Sequence, residues 1–262
     1  MTVFKHVLWG YELTYPDDWL HKKAFDVDAF AAYPESLDPG YEGEKLGHLL
    51  VRGEFNPQMQ PVDDLWNRHI AKMSVMLNAK RLGSAPLQFG GGIGYEVEIV
   101  LPKKDKKRLW AGILTYRTTI LHLMVLHLKE NRTWFEPIAS KVIASIRFFD
   151  RANEVDLNQA GLPLPLDYAP TDPTAILPDI QDSANWQAYD GTGDIGALQN
   201  FYLRELDNYG WDVIEYSPFP ASKEVNFARF HIHKEGTYAI LGILPTDDKP
   251  PLGKIVIKYE GT

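Results

Sequence analysis

The chain has 262 residues, 45% apolar and 24% charged, with no cysteine and a formal net charge of −8. That length admits one large domain or two small ones, and the apolar content is enough for packed cores rather than global disorder. The missing cysteines exclude disulfides, thiolate catalysis, iron–sulfur clusters and cysteine zinc sites, which fits a cytoplasmic protein.

Charge is uneven along the chain. Residues 1–150 hold 19 Lys and Arg against 18 Asp and Glu, whereas residues 151–262 hold 8 against 17. The break in charge suggests two units. The acidic second half argues against nucleic acid as the main partner, because phosphate contacts need net cations. The N-terminus has one early lysine and no long apolar run, so no secretory signal is expected. The apolar-rich stretch 114–128 is interrupted by Arg117, His122 and His127 and is too short to span a bilayer.

In chain order, VLWGYELTYP (7–16) reads as strand, turn and strand with Gly10 at the bend. YPDDWL (15–20) then reads as a strand exit. Proline biases Tyr15 toward extended backbone, Asp17 and Asp18 suit a turn, and Trp19 tucks under the sheet. DAFAAYP (28–34) and HLLVRGEF (48–55) are strands, joined by a turn-rich loop over 34–45. Over 62–78 the period changes. Trp66, Ile70, Met73 and Leu77 stripe one helix face, and Asp63 and Asp64 favour the helix start.

GIGYEVEIVLP (92–102) alternates, with Tyr95, Val97 and Ile99 on one face and Glu96 and Glu98 on the other. Segments 108–117 and 119–129 read as a long hairpin. Residues 133–149 form a closing helix, started either by a Thr133/Glu136 capping box or by Pro137 as its first residue.

Residues 151–185 hold 5 of the 18 prolines with little periodicity and read as an extended linker. The pattern then restarts. WQAYD (186–190) is a strand, and Asp194 caps a helix striped by Leu198, Phe201, Tyr202 and Leu206 that Gly210 ends. Four strands follow, at 211–216, 226–234, 237–245 and 253–261.

Two stretches carry a resemblance. YELTYPDDWL resembles the opening strand of the PsbP-like superfamily, and WFEPIASKVIASIRFF resembles its closing helix running into Ser145, Arg147 and Phe148. The superfamily includes an extrinsic photosystem II protein, a Ran-binding nuclear-import factor and bacterial secretion chaperones. The resemblance covers residues 3–149 and implies an α/β/α sandwich and mostly binding roles. The second half is similar to small domains of bacterial proteins that carry the pattern found here as Phe201-Tyr202, Leu206 and Gly210-Trp211, and implies no activity. The expected fold is therefore α+β: a PsbP-like sandwich with an antiparallel sheet (1–150), a Pro-rich linker (151–185) and a small β-α-β-β-β-β domain (186–262).

FGGGIGY (89–95) invites a phosphate-loop reading, but a strand rather than a helix follows, so a strand entry or bulge is expected. His231 and His233 share one strand face and form the alternative metal site, for zinc or copper, with Glu215 as a candidate third ligand; stacked or exposed histidines are the preferred reading. His122 and His127 should face opposite sides of their strand. The run Lys103, Lys104, Lys106, Lys107 and Arg108, just before Trp110, sits at a hairpin tip. It is the candidate partner-binding surface, against the reading of a solvated tip that guards a strand end. The acidic pairs Asp17-Asp18, Asp63-Asp64 and Asp247-Asp248 fall at turns or helix starts.

These features point to a non-enzymatic protein-binding, scaffold or chaperone-like protein that needs no cofactor. The alternatives are a small-ligand-binding protein or enzyme with a pocket between the domains, and a structural subunit.

Overall fold

A computed structural model describes residues 1–24, 26–38, 40–101, 106–220 and 226–260. The chain divides into two compact units. One comprises Met1–His6 with Tyr11–Phe149, and the other Val7–Gly10 with Asp150–Thr262.

The first unit runs β1 (Thr2–His6), β2 (Tyr11–Tyr15), β3 (Leu20–Ala24), β4 (Val27–Ala31), β5 (Gly47–Phe55), α1 (Val62–Leu77), β6 (Lys80–Phe89), β7 (Gly92–Val100), β8 (Lys107–Tyr116), β9 (Thr119–Leu128), α2 (Arg132–Ala144) and β10 (Arg147–Phe148). Seven strands form one antiparallel sheet in the order β3-β4-β5-β9-β8-β7-β6, and β1, β2 and β10 form a second, small sheet.

The alternation read in β7 decides what each face of the large sheet meets. Val97 and Ile99 join Leu109, Ala111, Ile113 and Ile120 under Leu65, Trp66 and Ile70 of α1. On the opposite face lie Glu96, Glu98, Arg108 and Trp110, together with α2, whose Phe135, Ala139, Val142 and Ile143 are buried. Helix, sheet and helix make the three-layer sandwich that the resemblance implied.

Several local expectations change. Strands β3 and β6 are additions, and both are sheet edges. β6 carries Pro86, which only an edge strand accepts easily because proline donates nothing to a ladder. FGGGIGY is a hairpin: Phe89 pairs with Gly92, and Gly90 and Gly91 (φ +53° and +90°) make the two-residue loop. Two successive positive φ values are what a type I′ turn demands, which explains the paired glycines. Helix α2 starts neither at a capping box nor at Pro137. Asn131 precedes it and spends its side-chain amide on the Glu44 and Leu46 carbonyls (2.8 and 2.9 Å), and Pro137 lies inside the helix.

The corner after β2 is structural. The Trp19 amide donates to the Pro16 carbonyl (3.0 Å), and the buried indole stacks on Phe135 at 5.3 Å and 6°. Asp17 accepts from the Thr2 hydroxyl (2.8 Å).

In the second unit come β11 (Asp156–Leu157), β12 (Pro163–Leu164), β13 (Ala169–Thr171), the single turn α3 (Pro173–Ile176), β14 (Trp186–Asp190), α4 (Ile195–Asn208), β15 (Asp212–Ser217), β16 (Ala228–Lys234), β17 (Thr237–Pro245) and β18 (Gly253–Glu260). Six of these strands form an antiparallel sheet in the order β13-β14-β18-β17-β16-β15. Asp194 caps α4 by accepting from the amides of Gly196 (2.8 Å) and Ala197 (3.0 Å). Leu198, Phe201, Tyr202 and Leu206 are fully buried against the sheet.

Residues 151–185, expected to be an extended Pro-rich linker, belong to this second unit. Ala152, Leu162, Leu164 and Tyr168 are buried, and the Ala152 amide donates to the buried Glu205 carboxylate (2.9 Å). The turn Val7–Gly10 belongs here too. Asn200 donates to the Leu8 carbonyl (2.9 Å) and Arg204 to the Val7 carbonyl (2.6 Å). A buried carbonyl costs free energy unless it is bonded, so these side chains fix the turn to α4.

Candidate functional site

Beneath α1 the first unit has a cleft of about 470 Å³, walled by α1 and floored by β4, β5, β8 and β9. Two histidines meet in it. The rings of His69 on α1 and His122 on β9 stand 4.9 Å apart. His122 Nε2 lies 2.8 Å from Glu54 Oε2 on β5, and that contact lowers the Glu54 carboxyl below its ordinary range. His69 also stacks on Trp66 at 5.9 Å. Its Nε2 is buried and has no hydrogen-bond partner among the described residues. Burial first, and the neighbouring His122 second, push the His69 imidazole down to about 4, so it is neutral near neutral pH. A neutral ring with one unused nitrogen is a buried polar group whose hydrogen-bonding capacity is not met within the unit.

The lining is graded. Along α1, Arg68, His69 and Lys72 come before Met73, Met76 and Leu77. The floor follows the same division, because Arg52 pairs with His122 in the strand register and Leu50 pairs with Met124. Arg52 is ion-paired to Asp26, and Arg68 is bonded to Gln60. At the apolar end the surface continues out of the cleft. Val75 is 83% exposed and Met76 72%, both on the last turn of α1. Three of the five methionines line the cleft.

The basic stretch lies between β7 and β8. Lys103 and Lys104 fall outside the described residues. Lys106 is exposed. Lys107 is buried, with its ammonium 2.8 Å from Glu42. Arg108 lies 3.7 Å from Glu98, and the Trp110 indole donates to Glu96 (3.0 Å). Arg108 and Trp110 line a smaller pocket of about 200 Å³ under α2, where Glu136 meets both Arg132 (3.0 Å) and His127 (3.1 Å). His122 and His127 do face opposite sides of β9, each into a different pocket.

His231 and His233 share a face of β16, beside Tyr238. His231 lies 3.4 Å from Glu260, and His233 accepts from the Gly236 amide (3.1 Å). Glu215 is occupied by Arg229 at 2.7 Å. Among the described residues no group of three or more His, Asp or Glu is arranged to hold a metal ion. Of the acidic pairs, Asp63 accepts from the Tyr95 hydroxyl (2.6 Å) and Asp248 from the Thr246 hydroxyl (2.8 Å). Sequence reasoning missed the cleft. Its local trace was Val75-Met76-Leu77, an apolar run wider than one buried stripe requires.

Among the described residues no helix is long and apolar enough to cross a membrane. No family model and no curated protein matches the sequence. Similar solved structures include the cyanobacterial PsbP of Synechocystis sp. PCC 6803, with 14% identity, a TM-score of 0.45, and coverage of 56% of this chain and 92% of that one. The Ran-binding protein Mog1p of Saccharomyces cerevisiae has 7% identity and a TM-score of 0.37, covering 56% of this chain and 94% of that one. A protein of Bacteroides thetaiotaomicron has 10% identity and a TM-score of 0.40, covering 92% of this chain and 86% of that one.

Proposed function

We propose that the protein is a non-enzymatic binding protein whose first unit takes an apolar stretch of a partner polypeptide into the cleft beneath α1. The observation that carries this reading is the continuity of the apolar surface. Met73, Met76 and Leu77 line the cleft, and Met76 is at the same time 72% exposed, so the apolar lining runs out into water. A small-molecule site encloses most of its ligand. A surface that runs from a cleft onto an exposed helix turn suits a longer chain. Methionines favour the same use, because their flexible thioethers repack around different side chains.

The basic stretch proposed as a contact from the sequence takes second place. Lys107, Arg108 and Trp110 have partners within the unit, which leaves Lys106 as its exposed cation among the described residues.

The test places charge at the mouth. Met76→Glu with Leu77→Glu should lower stability by no more than ~1–2 kcal/mol, from carboxylates at the negative end of α1, and leave the protein folded. The double variant should weaken binding of a fluorescent leucine-rich helical peptide by at least about tenfold, the effect of one lost apolar anchor of ~1.5 kcal/mol. Equal anisotropy titrations for the two proteins would refute the reading.

A further inference from the structure

We infer that the segment taken by the cleft is acidic as well as apolar: its apolar side chains seat against Met73, Met76 and Leu77, and its carboxylates face Arg68 and Lys72. This rests on the reading of the cleft as a polypeptide site. The cleft is lined by three cations, Arg52, Arg68 and Lys72, and by one carboxylate, Glu54. Glu54 is bonded to His122 at 2.8 Å and Arg52 is ion-paired to Asp26, while Arg68 is within electrostatic reach of Glu54 without forming an ion pair with it. Arg68 has only the neutral Gln60 amide as its hydrogen-bond partner, and Lys72 has no ion pair among the described residues. The three cations of the lining outnumber its one carboxylate, and Arg68 and Lys72 are exposed to water. A guest bringing carboxylates to that end would turn them into charge-assisted contacts.

Spacing fixes the pattern of the guest. From Arg68 to Leu77 is nine residues, or ~13 Å along a helix axis. A guest helix lying along α1 therefore needs its carboxylates within about two and a half turns of its apolar residues. The exposure of Met76 in the lining argues against a single-chain fatty carboxylate, whose tail it would leave partly in water.

The experiment uses the full chain and two labelled designed helices. Both carry leucines four residues apart. One bears two glutamates a turn and a half away, and its twin bears glutamines. The acidic helix should bind roughly tenfold tighter at low salt, with the advantage shrinking at high salt where exposed charges are screened. Arg68→Gln with Lys72→Gln should erase the advantage, leaving the two helices with equal affinities for the variant. Equal affinities, or an advantage that survives the double substitution, would overturn the inference and leave the apolar cleft standing. If neither helix binds, the cleft reading falls with it. Sodium dodecanoate occupying the cleft where the acidic helix does not would overturn the inference in favour of a small amphiphile.

Discussion

Acidification should destabilise the first unit through His69. The ring is held neutral down to about pH 4, whereas an unfolded histidine takes up its proton near the ordinary 6.5. Because the folded value is the lower one, the unfolded state binds the proton first. Stability is therefore full above the ordinary value, falls as pH drops below it, and falls no further once the folded ring also protonates. The whole gap corresponds to a ceiling of ~3 kcal/mol at 1.36 kcal/mol per unit of pKa. The ring is only partly shielded, and solvent screening reduces that to ~1–2 kcal/mol. Between about pH 7 and about pH 5 the expected loss is ~1 kcal/mol.

The assay is native-state hydrogen exchange at the β9 amides, compared between the parent and His69→Gln. Titrating groups that do not interact with His69 contribute equally to both proteins and cancel. The parent should lose ~1 kcal/mol more than the variant over that range, and the His69 ring carbon should titrate near 4 by NMR. Parallel losses in the two proteins, or a ring titrating near 6.5, would refute the argument that burial and His122 hold the imidazole neutral.

Further outcomes follow from the packing. Trp19→Ala removes a buried ring stacked on Phe135 and should cost the first unit ~3–5 kcal/mol by hydrogen exchange. Asp194→Ala strips two amides of their acceptor at the start of α4 and should cost ~1 kcal/mol, read from exchange in that helix. Lys107→Ala tests whether the basic stretch acts within the fold. It should lower stability by ~1 kcal/mol through the lost Glu42 pair and buried stem, with peptide affinity unchanged. A stable variant with weakened binding would return that stretch to the partner surface.

What the sequence disclosed follows from how local each signal is. Trp66 and Ile70 recur at helical spacing because they bury one side of α1, so that helix was legible. In β7, Glu96 and Glu98 alternate with Val97 and Ile99 because the two faces meet different surroundings, an apolar core on one side and the Arg108 and Trp110 pocket on the other. Strands β3 and β6 lacked such alternation. Both are edges, where partial exposure permits Lys22 and Lys23 in one and Gly83 and Pro86 in the other.

The prolines of 151–185 do signal extended backbone, but the irregular spacing of Ala152, Leu162, Leu164 and Tyr168 concealed that the segment is packed. The cleft was out of reach for a different reason. Arg52, Glu54, His69 and His122 come from three elements, and only the pairing of β5 with β9 and the seat of α1 above them bring the four together. No spacing in a single stretch encodes that.

The most direct test of the binding cleft uses the methionines as reporters. Met73, Met76 and Met124 line it, whereas Met59 is exposed outside it. In a methyl-labelled full chain titrated with the acidic amphipathic helix, the account predicts shifts for the first three methyls and none for Met59. Saturable binding that leaves those three methyls unmoved would contradict it.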